Sequence, residues 1–267
     1  MARKNGEFIS GVLGTMVFRV LKGKQYVKLR SAPGTMKQTA ETKRTANTFG
    51  MGSTLGAKIR GTLKEHLLGL SNQGIKNRLN GRLVQILCSS RAPKSKHYQF
   101  DRDSFAGLDD FEFDATSTVA KLLGRQPAIV LAANTIKVQL PQLDIPSQLK
   151  FPFKGFQCKV TVSLSLLRLS DGLYQATADT QTLVCNKNMA KTDAHEFEFS
   201  VPNGCLCIVS LFLVYETASG KGFRPINSKS FNPGCICRTF VTEGDYQAGD
   251  EIVWKKMKNS RGIPLNF

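Results

Sequence analysis

Histidine is scarce in this chain: only His66, His97 and His195 occur among 267 residues. None stands in an H-E-x-x-H, G-x-S-x-G or zinc-ligand spacing, so the usual triad and zinc-hydrolase mechanisms have no supply of acid–base groups. There is no G-x-x-x-x-G-K-[ST] loop, and Gly50-x-Gly52 lies within a helical pattern with no strand before it. Nucleotide hydrolysis and dinucleotide chemistry thus lack their phosphate cradle. No window reaches the roughly 18 apolar residues of a membrane span, since the longest candidate, residues 205–215, contains Ser210. The N-terminus carries Arg3 and Lys4 but no uninterrupted apolar stretch after them and no small-residue cleavage site. These absences lead us to expect a protein that is not an enzyme, takes no cofactor, meets no membrane, and works in the cytoplasm or in a virion-like assembly.

Acidic residues are almost missing from the first third. Residues 1–96 hold 19 Lys and Arg against Glu7, Glu41 and Glu65, whereas residues 97–267 hold 18 against 17 acids. Nearly all of the net charge of +17 therefore belongs to the front of the chain. Asymmetry of this kind points to a polyanionic partner, either a nucleic acid or an acidic protein surface.

The first elements read as a β-hairpin. Residues 15–21 and 25–30 are β-rich runs joined by Lys22-Gly23-Lys24. Tyr26, Lys28 and Arg30 alternate with Val27 and Leu29, which predicts one basic face and one buried face. From Ala40 the period becomes helical: Leu55, Ile59, Leu63, Leu67 and Leu70 form one stripe, and Ile75, Leu79, Leu83 and Ile86 form another after the capping residues Ser71 and Asn72. Gly50, Gly52 and Gly56 predict a break or a close helix contact in the first of these helices.

The pattern Gly11-x-x-Gly14-x-x-Val17-Phe18, then Gly23-Lys24-x-x-Val27-x-x-Arg30-x-x-Pro33, then a helix start at Gln38, resembles the opening of an uncharacterised bacterial protein family. In that family a glycine-rich hairpin and a helix precede β-sandwich repeats. The resemblance covers residues 6–60; it implies an architecture and carries no activity.

The polar connector 89–97 marks a change of composition, and we expect a domain boundary there. Residues 1–96 would be a basic hairpin-plus-helix module and residues 97–267 a mainly β region of one or two sandwich-like units. The acidic run 101–114 reads as a solvated turn whose spacing matches no EF-hand loop. Strands are predicted at 127–131, 135–140, 157–169, 173–184, 196–201, 205–215 and 235–241, separated by Asn- and Gly-containing turns. The expected class is α+β overall, with an antiparallel immunoglobulin- or fibronectin-like sandwich at the back.

Seven cysteines without an export signal argue for free thiols. Cys205-x-Cys207 and Cys235-x-Cys237 read as packed core residues, and a tetrahedral zinc site remains open only if their two strands are neighbours. Functionally, the residues point to a binding or assembly protein. Its candidate polyanion contacts are Arg19, Lys22, Lys24, Lys28 and Arg30 on the hairpin, with Lys43, Arg44, Lys58, Arg60, Lys76, Arg78 and Arg82 on the helices. Tyr26 is placed either to stack on a base or to pack. The alternatives are a structural subunit of a phage-like or surface assembly, with the hairpin adding to a neighbour's sheet, and a metal-binding protein using the two C-x-C pairs.

Overall fold

The computed structural model describes residues 2–32, 39–68, 73–91, 98–220, 222–248 and 251–258. Pro33, Gly34, Gln38, Leu70, Ser71, Asn72 and His97, together with most of the 89–97 connector, lie outside the described residues. The class is mixed α+β, and the chain divides into two compact units, Met1–Ala46 and Asn47–Phe267.

The first unit is a four-stranded antiparallel meander, β1 (Arg3–Asn5), β2 (Phe8–Leu13), β3 (Met16–Leu21) and β4 (Lys24–Leu29), paired in that order. The expected hairpin is β3–β4. Leu21 pairs with Lys24, leaving a two-residue turn in which Lys22 (φ 50°) and Gly23 (φ 73°) both adopt positive φ. A type I′ turn requires that of its two central residues, and it suits the right-handed twist of the strands. The two strands before it, β1 and β2, were not expected. One expectation is overturned: the apolar face is not buried. Val27 is 52% exposed and Leu29 74% exposed, and Met16, directly opposite Leu29, is 46% exposed. Alternation selects which side chains share a face, but burial needs a second layer, and the described residues of this unit supply none over that face.

The second unit begins within helix α1 (Ala40–Thr62), which is followed by the short α2 (Lys64–Leu67) and by α3 (Gln73–Ser89). Helix α1 is continuous through its glycines, and the reason is a close crossing with α3. A Cβ on Gly52 would come within 2.8 Å of Val84 Cγ2, and one on Gly56 within 2.4 Å of Asn80 Oδ1. The predicted stripes are the buried ones: Leu55, Ile59, Leu63, Leu79 and Leu83 are wholly inaccessible.

The stripes do not close on each other alone. They join one core cluster with Phe111, Phe113, Leu206, Ile208, Phe212 and Ile236 from the β region. That region comprises β5 (Phe111–Glu112), α4 (Val119–Leu122), β6 (Ala128–Ala132), β7 (Thr135–Leu140), β8 (Gln157–Arg168), β9 (Leu173–Gln175), β10 (Asp179–Asn186), β11 (His195–Ser200), β12 (Leu206–Ser219), β13 (Gly222–Pro225), β14 (Gly234–Val241) and β15 (Trp254–Lys256). The large antiparallel sheet runs β15-β9-β8-β12-β14-β5, with β10 also on β8 and β13 also on β12; a smaller one runs β11-β7-β6. Neither sheet closes into a barrel.

Strand β12 shows how the layers form. Leu206, Ile208 and Phe212 enter the cluster that holds the helices, while Cys207, Val209, Leu211 and Leu213 enter a second cluster with Ile136, Val138, Phe197 and Phe199 of the small sheet. A strand covered on both faces is apolar almost throughout, which is why residues 205–215 read as a run interrupted only by Ser210. Hydroxyls sit on the helix-facing side, where Thr62 Oγ1 donates to or accepts from Ser165 Oγ at 2.9 Å. Phe212 lies over Gly234, its partner across the ladder, at a distance that leaves no room for a Cβ.

The acidic run 101–114 is a solvated turn only in part: Asp101, Asp103 and Asp110 are exposed, while Asp109, Glu112 and Asp114 act as structural clasps. Asp109 accepts from Thr239 Oγ1 at 2.9 Å and pairs with Arg238 at 3.0 Å. Glu112 accepts from the backbone N–H groups of Val119 and Ala120 at 2.9 and 3.1 Å, at the start of α4. Asp114 is buried and accepts from Ser117 Oγ, Thr116 N, Thr116 Oγ1 and Asn232 N. Burial raises its pKa, but these donors outweigh that and hold the carboxyl down at about 2. Asn232 in turn donates to the His66 carbonyl at 2.8 Å, tying the helices to the loop before β14. Burial also raises the pKa of Asp109 and Glu112, so these two are partly desolvated as well.

Candidate polyanion-binding surface

Cross-strand register builds the basic face of the first unit. Arg19 lies directly opposite Tyr26, Val17 opposite Lys28 and Leu21 opposite Lys24. Partnered residues of an antiparallel pair share a face, as do residues two apart along a strand. Arg19, Lys24 and Lys28 therefore surround Tyr26 on one side of β3–β4, with Val17 and Leu21 filling the remaining positions. The Tyr26 ring is 53% exposed. None of the three cations has a carboxylate partner among the described residues. The unit as a whole carries ten Lys and Arg against Glu7 and Glu41, a net +8. With so few acids in its own unit, this sheet carries a large excess of positive charge.

The other candidates of this unit are placed less tightly. Lys22 sits at the tip of the β3–β4 turn, and Arg30 follows β4 with its backbone N–H bonded to Thr15 O at 2.6 Å. Lys43 and Arg44 lie in the first turns of α1, where Arg44 pairs with Glu41 at 3.8 Å. Arg3, on β1 opposite Ser10, is a further cation of this sheet that the sequence reading left out. The signal was present in the adjacent Arg3-Lys4 pair, but a three-residue edge strand has no periodicity to detect.

The five remaining candidates belong to the second unit, and the structure gives several of them internal work. Arg78 donates to the carbonyls of Glu112 and Phe113 at 2.9 and 3.0 Å. Arg82 donates to those of Gly107 and Asp109 at 3.1 and 3.2 Å. Both guanidinium groups lie over the Phe111 ring, at 5.0 and 5.3 Å. Lys58 lies over Tyr174 at 4.9 Å. Burial pushes the Arg60 guanidinium below its usual range, and its Nη1 has no hydrogen-bond partner among the described residues. Lys76 is half-buried on α3. The donors of Arg78 and Arg82 are thus committed to holding residues 107–113 against α3.

The C-x-C pairs do not converge. Strand β12 does neighbour β14, but Cys207 pairs with Phe240 and Cys235 with Leu211. Four residues separate Cys207 from Leu211, about 13 Å along a strand. Cys235 and Cys237 have sulfurs 3.6 Å apart, and Cys207 Sγ donates to the Cys205 carbonyl at 3.8 Å. Burial pushes the Cys207 thiol up, and contact with Cys237 together with burial does the same for Cys235. Among the described residues no group of three or more His, Cys, Asp or Glu side chains stands where it could hold a metal ion.

His66 stacks on Phe212 at 4.9 Å, and burial lowers its pKa against the opposing influence of Glu65. A cleft of about 570 Å³ is lined by Asp101, Arg102, Ser170, Thr242, Glu243 and Asp245 among others, with no histidine or cysteine. No helix among the described residues is long and apolar enough to cross a membrane. Comparison with protein-family models, with curated proteins and with solved structures finds no match to the chain.

Proposed function

We propose that this chain is a non-enzymatic binding protein whose basic N-terminal sheet contacts a polyanion, with nucleic acid as the partner. The observation that carries the reading is the cluster of Arg19, Lys24 and Lys28 around an exposed Tyr26 on one sheet face, unneutralised by acids. Contacts of this kind go to phosphate oxygens and set affinity rather than sequence preference. In this reading the β region is an antiparallel sandwich of immunoglobulin- or fibronectin-like type, and the chain works in the cytoplasm or a virion.

Fluorescence anisotropy of the full chain with labelled DNA and RNA, titrated with salt, tests it. Three to five phosphate contacts should give a log–log salt slope of about −2.7 to −4.5 on duplex DNA. Absence of binding even at about 50 mM salt, or binding indifferent to salt, refutes the proposal.

A second reading, a structural subunit of a phage-like or surface assembly, is favoured by the opposite face of the same sheet. Leu13, Met16, Val27 and Leu29 are exposed there, and a neighbouring copy would cover them. Sedimentation velocity separates the two: a species that stays monomeric at high concentration speaks against assembly.

A further inference from the structure

We infer that the Tyr26 face is a platform for single-stranded rather than duplex nucleic acid, with Tyr26 stacking on an unpaired base. The inference rests on the polyanion reading above and deepens it. Tyr26 sits in the middle of β4, with Lys24 and Lys28 two residues away on either side and Arg19 across the ladder. Two residues of a strand span about 7 Å, so cations lie along the strand both before and after the ring. An extended strand laid along β4 can place its phosphates on these cations while a base covers the ring.

The rest of the face selects between single strand and duplex. A β-ribbon reading a duplex groove presents amide and other hydrogen-bonding side chains to base edges. Here the positions between the cations are Val17, Leu21 and Tyr26, and the one amide of the hairpin strands, Gln25, lies on the other face, where its Oε1 accepts from Ile9 N at 3.2 Å. Leu21 is itself exposed. Arg19 and the lysines could meet phosphates or base edges alike, but the exposed Tyr26 ring offers a π-face, and only unpaired nucleotides expose a base face to stack on it.

The experiment compares the full-length wild type with Tyr26→Ala, Tyr26→Phe and Lys24→Ala/Lys28→Ala on three probes: labelled oligo(dT), a blunt duplex, and heparin, which is anionic but has no bases. Oligo(dT) should bind more tightly than the duplex. Tyr26→Ala should weaken oligo(dT) binding roughly five- to hundred-fold and leave heparin within about twofold, because stacking is lost and charge is not. Tyr26→Phe should restore oligo(dT) binding. The double lysine variant should weaken all three. Equal losses on oligo(dT) and heparin with Tyr26→Ala, no loss on either, or tighter binding of the duplex overturns the inference while leaving the polyanion reading intact. Failure of wild type to bind any of the three probes removes both. Tyr26 is exposed, so its replacement does not threaten folding, and circular dichroism of each variant verifies this.

Discussion

Replacing Gly52 by alanine should destabilise the protein, although alanine is the better helix former. An exposed interior glycine in a helix costs about 1 kcal/mol relative to alanine, so the default expectation for Gly→Ala in α1 is a gain of that size. Gly50 and Gly61 meet this condition, since a Cβ at either would find no atom within 4 Å. At Gly52 the new carbon would lie 2.8 Å from Val84 Cγ2 and 3.3 Å from Val84 N. Valine is stiff about χ1 in a helix, so the contact cannot be relieved by swinging the methyl away. The two helices must move apart, and overpacking of this kind costs about 1–3 kcal/mol. The net result is a loss of up to about 2 kcal/mol for Gly52→Ala against a gain of about 1 kcal/mol for Gly50→Ala. Urea titration of both variants by far-ultraviolet circular dichroism reads the difference as midpoints shifted in opposite directions. If Gly52→Ala is stabilised as much as Gly50→Ala, the close crossing of α1 and α3 is wrong.

Three further outcomes follow from the same packing. Asp114 has a folded pKa of about 2 against an ordinary 3.8, so its contribution of ~2 kcal/mol is complete above pH 4 and disappears as pH falls toward 2; Asp114→Asn should therefore lose stability at pH 7 and show a shallower decline on acidification, read by urea midpoints across pH. Arg78→Ala leaves the carbonyls of Glu112 and Phe113 without their donor and should cost ~1–3 kcal/mol, whereas Lys28→Ala, an exposed residue of the basic face, should change stability by less than ~0.5 kcal/mol. Gly234→Ala drives a Cβ to 2.4 Å from the Phe212 ring and should lower the thermal midpoint, with Phe212→Leu partly relieving the loss in the double variant.

The basic face was partly legible and partly not. Alternation of Tyr26, Lys28 and Arg30 with Val27 and Leu29 is visible in the chain, and so is the turn signal at Gly23. What that alternation cannot convey is the partner opposite each residue: Arg19 meets Tyr26 because the turn has two residues, and one residue more or fewer would have turned Arg19 to the other face. The helical cations looked equivalent in sequence, yet Arg78 and Arg82 are fastened to carbonyls of residues 107–113 while Lys76 is not. A charge count cannot see this, because the acceptors are backbone atoms distant in the chain.

Local order is written in the chain: two helical stripes from Leu55 to Ile86, a β-hairpin before them, antiparallel strands after them, and a front end rich in cations. Those features are periodic or compositional, and short-range sterics enforce them wherever the segment lies. Tertiary structure alone decided that the stripes lie on the β region rather than only on each other, that Asp114 is buried among donors, that Cys207 and Cys235 stand apart, and that Leu29 meets no covering layer in its own unit. Each of these depends on which surface covers which, and a side chain's neighbours across a layer are set by strand register and helix crossing, which a one-dimensional period does not encode.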